Sequence, residues 1–215
     1  MMDVTHEVNS VERYVGSRIL AAGKARTVTL SRIYDTPIEE VWEACTTRDR
    51  IQHWFLPISG DLRLGGRFQL EGNAGGRIEQ CDPPLSFSAT WEMFGDVSWI
   101  ELRLSREGDE RTRMELEHIA HVDDDRWMQF GPGAVGVGWD LATLGLGSYL
   151  RSGQPVDPHE AAMWSASDAG RLFIATSSGS WGDASRRSGT DPASAKAAAE
   201  RTTAFYTGAD AASNE

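Results

Sequence analysis

Two kinds of side chain in this sequence could do chemistry in a buried setting: one histidine set in an apolar strand pattern, and a scatter of large aromatic residues. His118 closes the run Met114-Glu115-Leu116-Glu117-His118, in which period two puts Met114, Leu116 and His118 on one face and Arg113, Glu115 and Glu117 on the other. Gln80 takes a similar place beside Ile78, as a second polar residue on an otherwise apolar face. A histidine so placed is more often a satisfied core residue than a catalyst. If it acts, its near-neutral pKa suits proton transfer to or from a bound carbonyl or enol. The sequence sets no second titratable residue beside it, so no catalytic residue is assigned and His118 stands as a weak candidate. The aromatic set is Trp54, Phe68, Phe87, Trp91, Trp139 and Tyr149. Taken singly, each reads as core about as readily as lining; as a lining, indoles give broad apolar contact with one N–H donor each.

Other motifs carry less. Gly131-Pro132-Gly133-Ala134-Val135-Gly136 matches Gly-x-Gly-x-x-Gly, but a dinucleotide site needs a parallel strand before it and a βαβ crossover, and the upstream pattern is all hairpins. A turn launching a helix explains the same glycines. His118 and His121 are three apart on a strand and point to opposite faces, and Cys45 and Cys81 have no ligand spacing, so no metal is expected. There is no Gly-x-Ser-x-Gly, His-Glu-x-x-His or phosphate-loop motif. No cofactor is expected.

The elements that would position these residues follow from periodicity. Leu85 to Met93 alternates almost without fault, Leu85, Phe87, Ala89, Trp91 and Met93 against Ser86, Ser88, Thr90 and Glu92. Thr27–Asp35, Arg67–Glu71, Gly76–Cys81, Trp99–Ser105 and Arg111–His121 also read as strands, and Gly76–Cys81 would set Ile78 and Gln80 together. Between the first two of these, Pro37 is expected in the first turn of a short helix capped by Thr36 or Asp35, with a second short helix over Thr47–Trp54. Val11–Ala22 reads as either a helical stripe or a strand, the preferred reading being a hairpin into the next strand. The expected sheet has one dry face, which Val135–Arg151 is the long helix available to cover. Glu101, Arg103, Glu115 and Glu117 would lie on the exposed face. After Gly153 a turn-rich linker leads to a helical stretch through Met163, Trp164, Leu172, Phe173 and Trp181, and then to a helix Pro192–Thr207 with Gly208 past its end. The tail is expected to dock on the main domain or on a second copy as a homodimer, and Asp210–Glu215 to fray.

Acidic residues number 32 against 21 basic, a net charge of -11. Such a surface repels polyanions, which argues against nucleic acid or anionic membrane as partners. No stretch reaches the roughly 20 apolar residues of a spanning helix. With two cysteines and no leader-like start, a cytoplasmic setting is the default.

The segment Arg32 to Phe68, with Tyr34-Asp35-Thr36-Pro37, Val41-Trp42, Trp54-Phe55-Leu56-Pro57 and Asp61-Leu62-Arg63-Leu64-Gly65-Gly66-Arg67-Phe68, resembles the START-like helix-grip (SRPBCC) superfamily, in its branch of homologues of an activator of a heat-shock-protein ATPase, a branch that also holds proteins labelled polyketide-cyclase-like. The resemblance runs on through Cys81-Asp82-Pro83-Pro84-Leu85, Ala89-Thr90-Trp91-Glu92, Leu116-Glu117-His118 and Gly138-Trp139. It implies an α+β fold in which a curved antiparallel sheet wraps a long helix: residues 1–25 as an N-terminal extension, 26–152 as the helix-grip domain and 153–215 as a helical C-terminal extension. It also implies a cavity between sheet and helix that takes a small hydrophobic or aromatic molecule, lined by Trp54, Phe68, Gln80, Phe87, Trp91, His118, Trp139 and Tyr149. Two alternatives come with it: a polyketide cyclase or dehydratase using His118, and a co-chaperone whose partner is the chaperone. The separate amino-terminal domain of the eukaryotic activators does not fit in the first 25 residues.

Overall fold

The computed structural model describes residues 3–209. The terminal stretch expected to fray, 210–215, lies outside them. Two compact units divide the chain, the first made of Met1–Leu30, His121–Leu141 and Pro158–Glu215, the second of Ser31–Ala120 and Ala142–Asp157. In chain order the elements are α1 (Val4–Asn9), β1 (Val11–Leu20), β2 (Gly23–Tyr34), α2 (Ile38–Thr46), α3 (Arg48–Ile51), β3 (Ile58–Gly60), β4 (Arg67–Leu70), β5 (Gly75–Asp82), β6 (Ser86–Met93), β7 (Asp96–Arg106), β8 (Thr112–Ala120), α4 (Asp124–Phe130), α5 (Gly133–Ser152), α6 (Pro158–Ala166), α7 (Asp168–Arg187) and α8 (Pro192–Thr207). The strands form one eight-stranded sheet in the order β1-β2-β8-β7-β6-β5-β4-β3, antiparallel from β3 through β8. This is the α+β helix-grip type of fold.

In the second unit, hairpin connections zip β5 to β6, β6 to β7 and β7 to β8 with registers Phe87↔Leu102↔Leu116 and Ala89↔Ile100↔His118. Ala89, Ile100, Leu102, Leu104, Met114 and Leu116 are all buried along these rows. Pro37 is itself the residue before α2, and no side chain caps that helix; the expected Thr36 or Asp35 cap does not form. The face expected to be exposed is partly closed. Glu117 is 8 % exposed, whereas Glu115 on the same face of β8 is more open. Arg103 draws the acidic residues around itself, pairing with Glu101, with Glu115 at 3.1 Å and with Glu117 at 3.8 Å.

In the first unit, the N-terminal residues form α1, capped by the Asp3 carboxylate on the His6 N–H at 3.0 Å, and then a full strand. The helical alternative for Val11–Ala22 fails: Val11 and Arg13 are buried while Tyr14 and Ile19, which would share a helical stripe with Val11, are exposed. Ser167 breaks the expected single helix through Met163 and Trp181 into α6 and α7, its Oγ accepting from the Gly170 N–H. Pro192–Thr207 forms as expected, with Asp191 accepting from the Ser194 N–H and Gly208 left-handed. The core is Phe173, Ile174, Trp181 and Ala184 of α7 against Ala195 and Ala198 of α8 and the first half of α5. Gly136 is what lets α5 in, since a Cβ there would stand 2.3 Å from the Trp181 indole. At the centre sits a buried charge. Asp140 accepts from Arg13 Nε at 3.0 Å, from Ser177 Oγ at 2.5 Å and from Trp181 Nε1 at 3.0 Å, all on its Oδ2, with Arg13 Nη2 in ion-pair range of the same oxygen at 3.0 Å.

Candidate functional site

The antiparallel registers of the second unit decide which predicted residues share a face. Directly opposed residues point the same way. Phe87, Ala89 and Trp91 of β6 therefore lie with Leu102, Ile100 and Ser98 of β7 and with Leu116 and His118 of β8. Along that face the aliphatic residues are buried, whereas Phe87 and Trp91 are only half-buried. Phe87 meets the edge of Trp42 from α2, ring centroids 6.3 Å apart at 69°. Trp91 meets Phe68 of β4 at 6.3 Å. That second contact depends on a missing side chain. Gly76 stands opposite Phe68, and a Cβ on it would lie 2.9 Å from the Phe68 ring.

His118 is 6 % exposed, and its Nε2 lies 2.9 Å from Ser98 Oγ. Ser98 Oγ gives its own proton to the Trp91 carbonyl at 3.0 Å. A hydroxyl has one proton to give, so Nε2 must be the donor and His118 the Nε2–H tautomer. Burial lowers its pKa to about 4. At neutral pH this imidazole is uncharged, and through Ser98 it is linked to the Trp91 carbonyl.

Trp54 and Tyr149 form a different group around α3. Trp54 donates through Nε1 to the Ala44 carbonyl at 2.9 Å and stacks on Phe55. Tyr149, 7 % exposed, accepts from Arg50 Nε at 3.1 Å, and the guanidinium lies 5.5 Å from the ring centroid, with His53 on the ring at 5.7 Å. Their polar atoms are tied to protein partners. Trp139 is half-buried in the part of α5 that belongs to the first unit.

Gln80 is a correction. The β5–β6 register slips between Ile78 and Gln80, so Ile78 pairs with Ala89 but Gln80 pairs with Ser88 and is exposed. One extra residue turns the strand over, and Gln80 leaves the face it was expected to share with His118. Sequence reasoning missed the converse case. Trp42 reads as the buried side of a short helix, and only its edge contact with Phe87 makes it a neighbour of the aromatic face. The glycine motif 131–136 follows helix α4, not a strand, and its turn opens α5, which removes the dinucleotide reading.

The sequence model described as "Activator of Hsp90 ATPase homolog 1-like protein" matches residues 35–151, more than half of the chain. The chain belongs to this family. Among solved structures, CalU16 from Micromonospora echinospora is similar in two forms. Its solution structure is 36% identical, covers 84% of this chain and 97% of its own, and has a TM-score of 0.68. Its crystal structure is 38% identical over 77% of this chain and 97% of its own, with a TM-score of 0.58. DynU16, from the dynemicin biosynthetic locus, is 21% identical over 60% of this chain and 48% of its own at a TM-score of 0.52, a likeness of fold alone. No curated protein matches the sequence. Among the described residues no helix is long and apolar enough to cross a membrane.

Proposed function

We propose that the second unit of this family member binds a small hydrophobic or aromatic molecule against the sheet face that carries Phe87, Trp91 and His118. The observation that supports it most is the contrast along one face: aliphatic neighbours are fully buried while Phe87 and Trp91 keep ring surface open, with Trp42 and Phe68 bracing their edges. Aromatic surface left half-open within an otherwise buried row is suited to stacking on a flat apolar ligand. Trp54 and Tyr149 are proposed as part of the frame around α3 rather than as direct contacts, because their hydrogen-bonding atoms are already engaged. A neutral His118 fits a binding role better than proton transfer at pH 7, which ranks the cyclase or dehydratase reading second. A co-chaperone role rests on the family's description. On the acidic face that would dock a partner, the one Arg103 guanidinium is shared among Glu101, Glu115 and Glu117.

Native mass spectrometry of the purified protein tests the binding reading by looking for a co-purified small molecule. That molecule, added back, should raise the melting temperature of the wild type, following RT ln(1 + [L]/Kd), and lose most of that effect in Trp91→Ala. Stabilisation that is the same in both proteins would remove Trp91 and its face from the site. Turnover lost in His118→Ala with ligand affinity retained would favour the enzyme instead.

A further inference from the structure

We infer that β1 is a dimerisation strand: two copies of this chain join edge to edge, antiparallel, about a two-fold axis at Val15. The inference is independent of the ligand reading and concerns other residues. β1 stands at the end of the sheet order, is ten residues long and holds no proline. An edge strand of that length is a template for another strand. The two-residue loop Ala21-Ala22 folds β1 back on β2, so Leu20 and Gly23 close the hairpin as a hydrogen-bonded pair and the even residues of β1 bond inward. Gly16 keeps that register, since a Cβ on it would lie 3.1 Å from Thr27 Oγ1. The backbone groups of Val11, Arg13, Val15, Ser17 and Ile19 therefore face out, and the Arg13 carbonyl accepts there from the Arg187 side chain at 3.2 Å. Space lies along the same edge. A groove of ≈ 400 Å³ has the consecutive residues Val11 to Tyr14 on one side and Ser180, Asp183 and Arg187 of α7 on the other.

The strand's own sequence names the occupant. In Val11-Glu12-Arg13-Tyr14-Val15-Gly16-Ser17-Arg18-Ile19, the register about Val15 is the one two-fold pairing that sets Glu12 of each copy opposite Arg18 of the other. The same register puts Tyr14 opposite Gly16, where an aromatic ring covers an edge glycine, and Arg13 opposite Ser17. A carbonyl has two lone pairs, so Arg187 and the Ser17 N–H of the other copy share that of Arg13. Arg18 of the other copy enters the groove at Glu12, which already holds the Tyr14 hydroxyl at 3.0 Å, with Asp183 across from it. The pairing also answers an exposed apolar residue. Val11, Arg13 and Ile19 lie on one face of β1, and Val11 and Arg13 are buried while Ile19 is 80 % exposed. About Val15, Ile19 of each copy comes to lie beside Val11 of the other, at the end of the strand where that face is covered.

The test is sedimentation equilibrium of the full-length protein, which should show a monomer–dimer equilibrium. Arg18→Glu sets two carboxylates face to face at both ends of the pairing and should weaken the dimer about tenfold. Glu12→Arg should do the same with two guanidinium groups, and the two substitutions together should restore the wild-type affinity, because the charges trade places in an unchanged register. Cysteine cross-linking reads that register directly, on a Cys81→Ser background because Cys81 is exposed. Val15→Cys should give a disulfide-linked dimer on mild oxidation, since residues paired at the axis lie about 5.5 Å apart, whereas Ser17→Cys, about 14 Å from its counterpart, should not. A protein that stays monomeric through the concentration series overturns the inference. So does a dimer that both charge variants leave intact, which would move the interface off β1, and so does cross-linking of Ser17→Cys as readily as Val15→Cys. Should a single charge variant fail to fold, the double exchange and the cysteine pair decide.

Discussion

Exchanging His118 for glutamine should flatten the acid limb of this protein's stability curve. An ordinary imidazole titrates near 6.5, whereas burial holds His118 at about 4. Between those values the unfolded chain takes up a proton that the folded chain refuses, so stability falls as pH falls. The contribution is fully present above pH 6.5 and is lost on the way down to pH 4. At about 1.4 kcal/mol per pH unit the gap amounts to about 3 kcal/mol, and the side chain is too buried for solvent to erode much of it. Titrating carboxylates also shape the acid limb, so the quantity to read is the difference between variants. Urea unfolding of wild type and His118→Gln at half-unit steps from pH 7.5 to 4.5 should show wild type losing stability faster, the two curves converging by roughly 2 to 3 kcal/mol. Parallel curves would mean that folded His118 takes up its proton near 6.5. The imidazole would then be reachable and chargeable in the native state, and the acid–base reading of the site would return.

Other outcomes follow from buried groups. Asp140→Ala leaves the Arg13 guanidinium inside without its carboxylate and should cost about 3–5 kcal/mol in urea unfolding, whereas the apolar pair Arg13→Met with Asp140→Leu should recover most of it; a double variant no better than the single would mean that the loss is packing. Native protein should react with one equivalent of a thiol reagent, at exposed Cys81, because Cys45 is buried and burial pushes its thiol up to about 12; two fast equivalents before denaturant is added would contradict that.

What could be read from the sequence was local and repeated. Nine alternating residues from Leu85 to Met93 announce a strand, and β6 forms over Ser86–Met93. Asp191-Pro192 and Gly208 mark both ends of α8, because a cap, a first-turn proline and a left-handed glycine each act within a few residues. The site was harder. Phe87, Trp91 and His118 share their face because period two holds through β6, β7 and β8, but one bulged residue in β5 reversed Gln80, and period counting does not see bulges. The Trp42–Phe87 contact and the ion pair of Arg13 with Asp140, 127 residues apart, arise from tertiary packing that leaves no periodic trace.

The long helix α5 has one further consequence, for anyone trimming the gene. The family match stops at residue 151, which invites excision of everything after it. Yet Gly136 in the upstream half of that helix owes its missing side chain to Trp181, and Asp140 draws two of its donors from Ser177 and Trp181, all beyond that cut. A fragment ending there would keep every family residue and still strand a charge and a bare glycine groove in water. The residues that the family model matches and the residues that complete the Asp140 cluster are different sets.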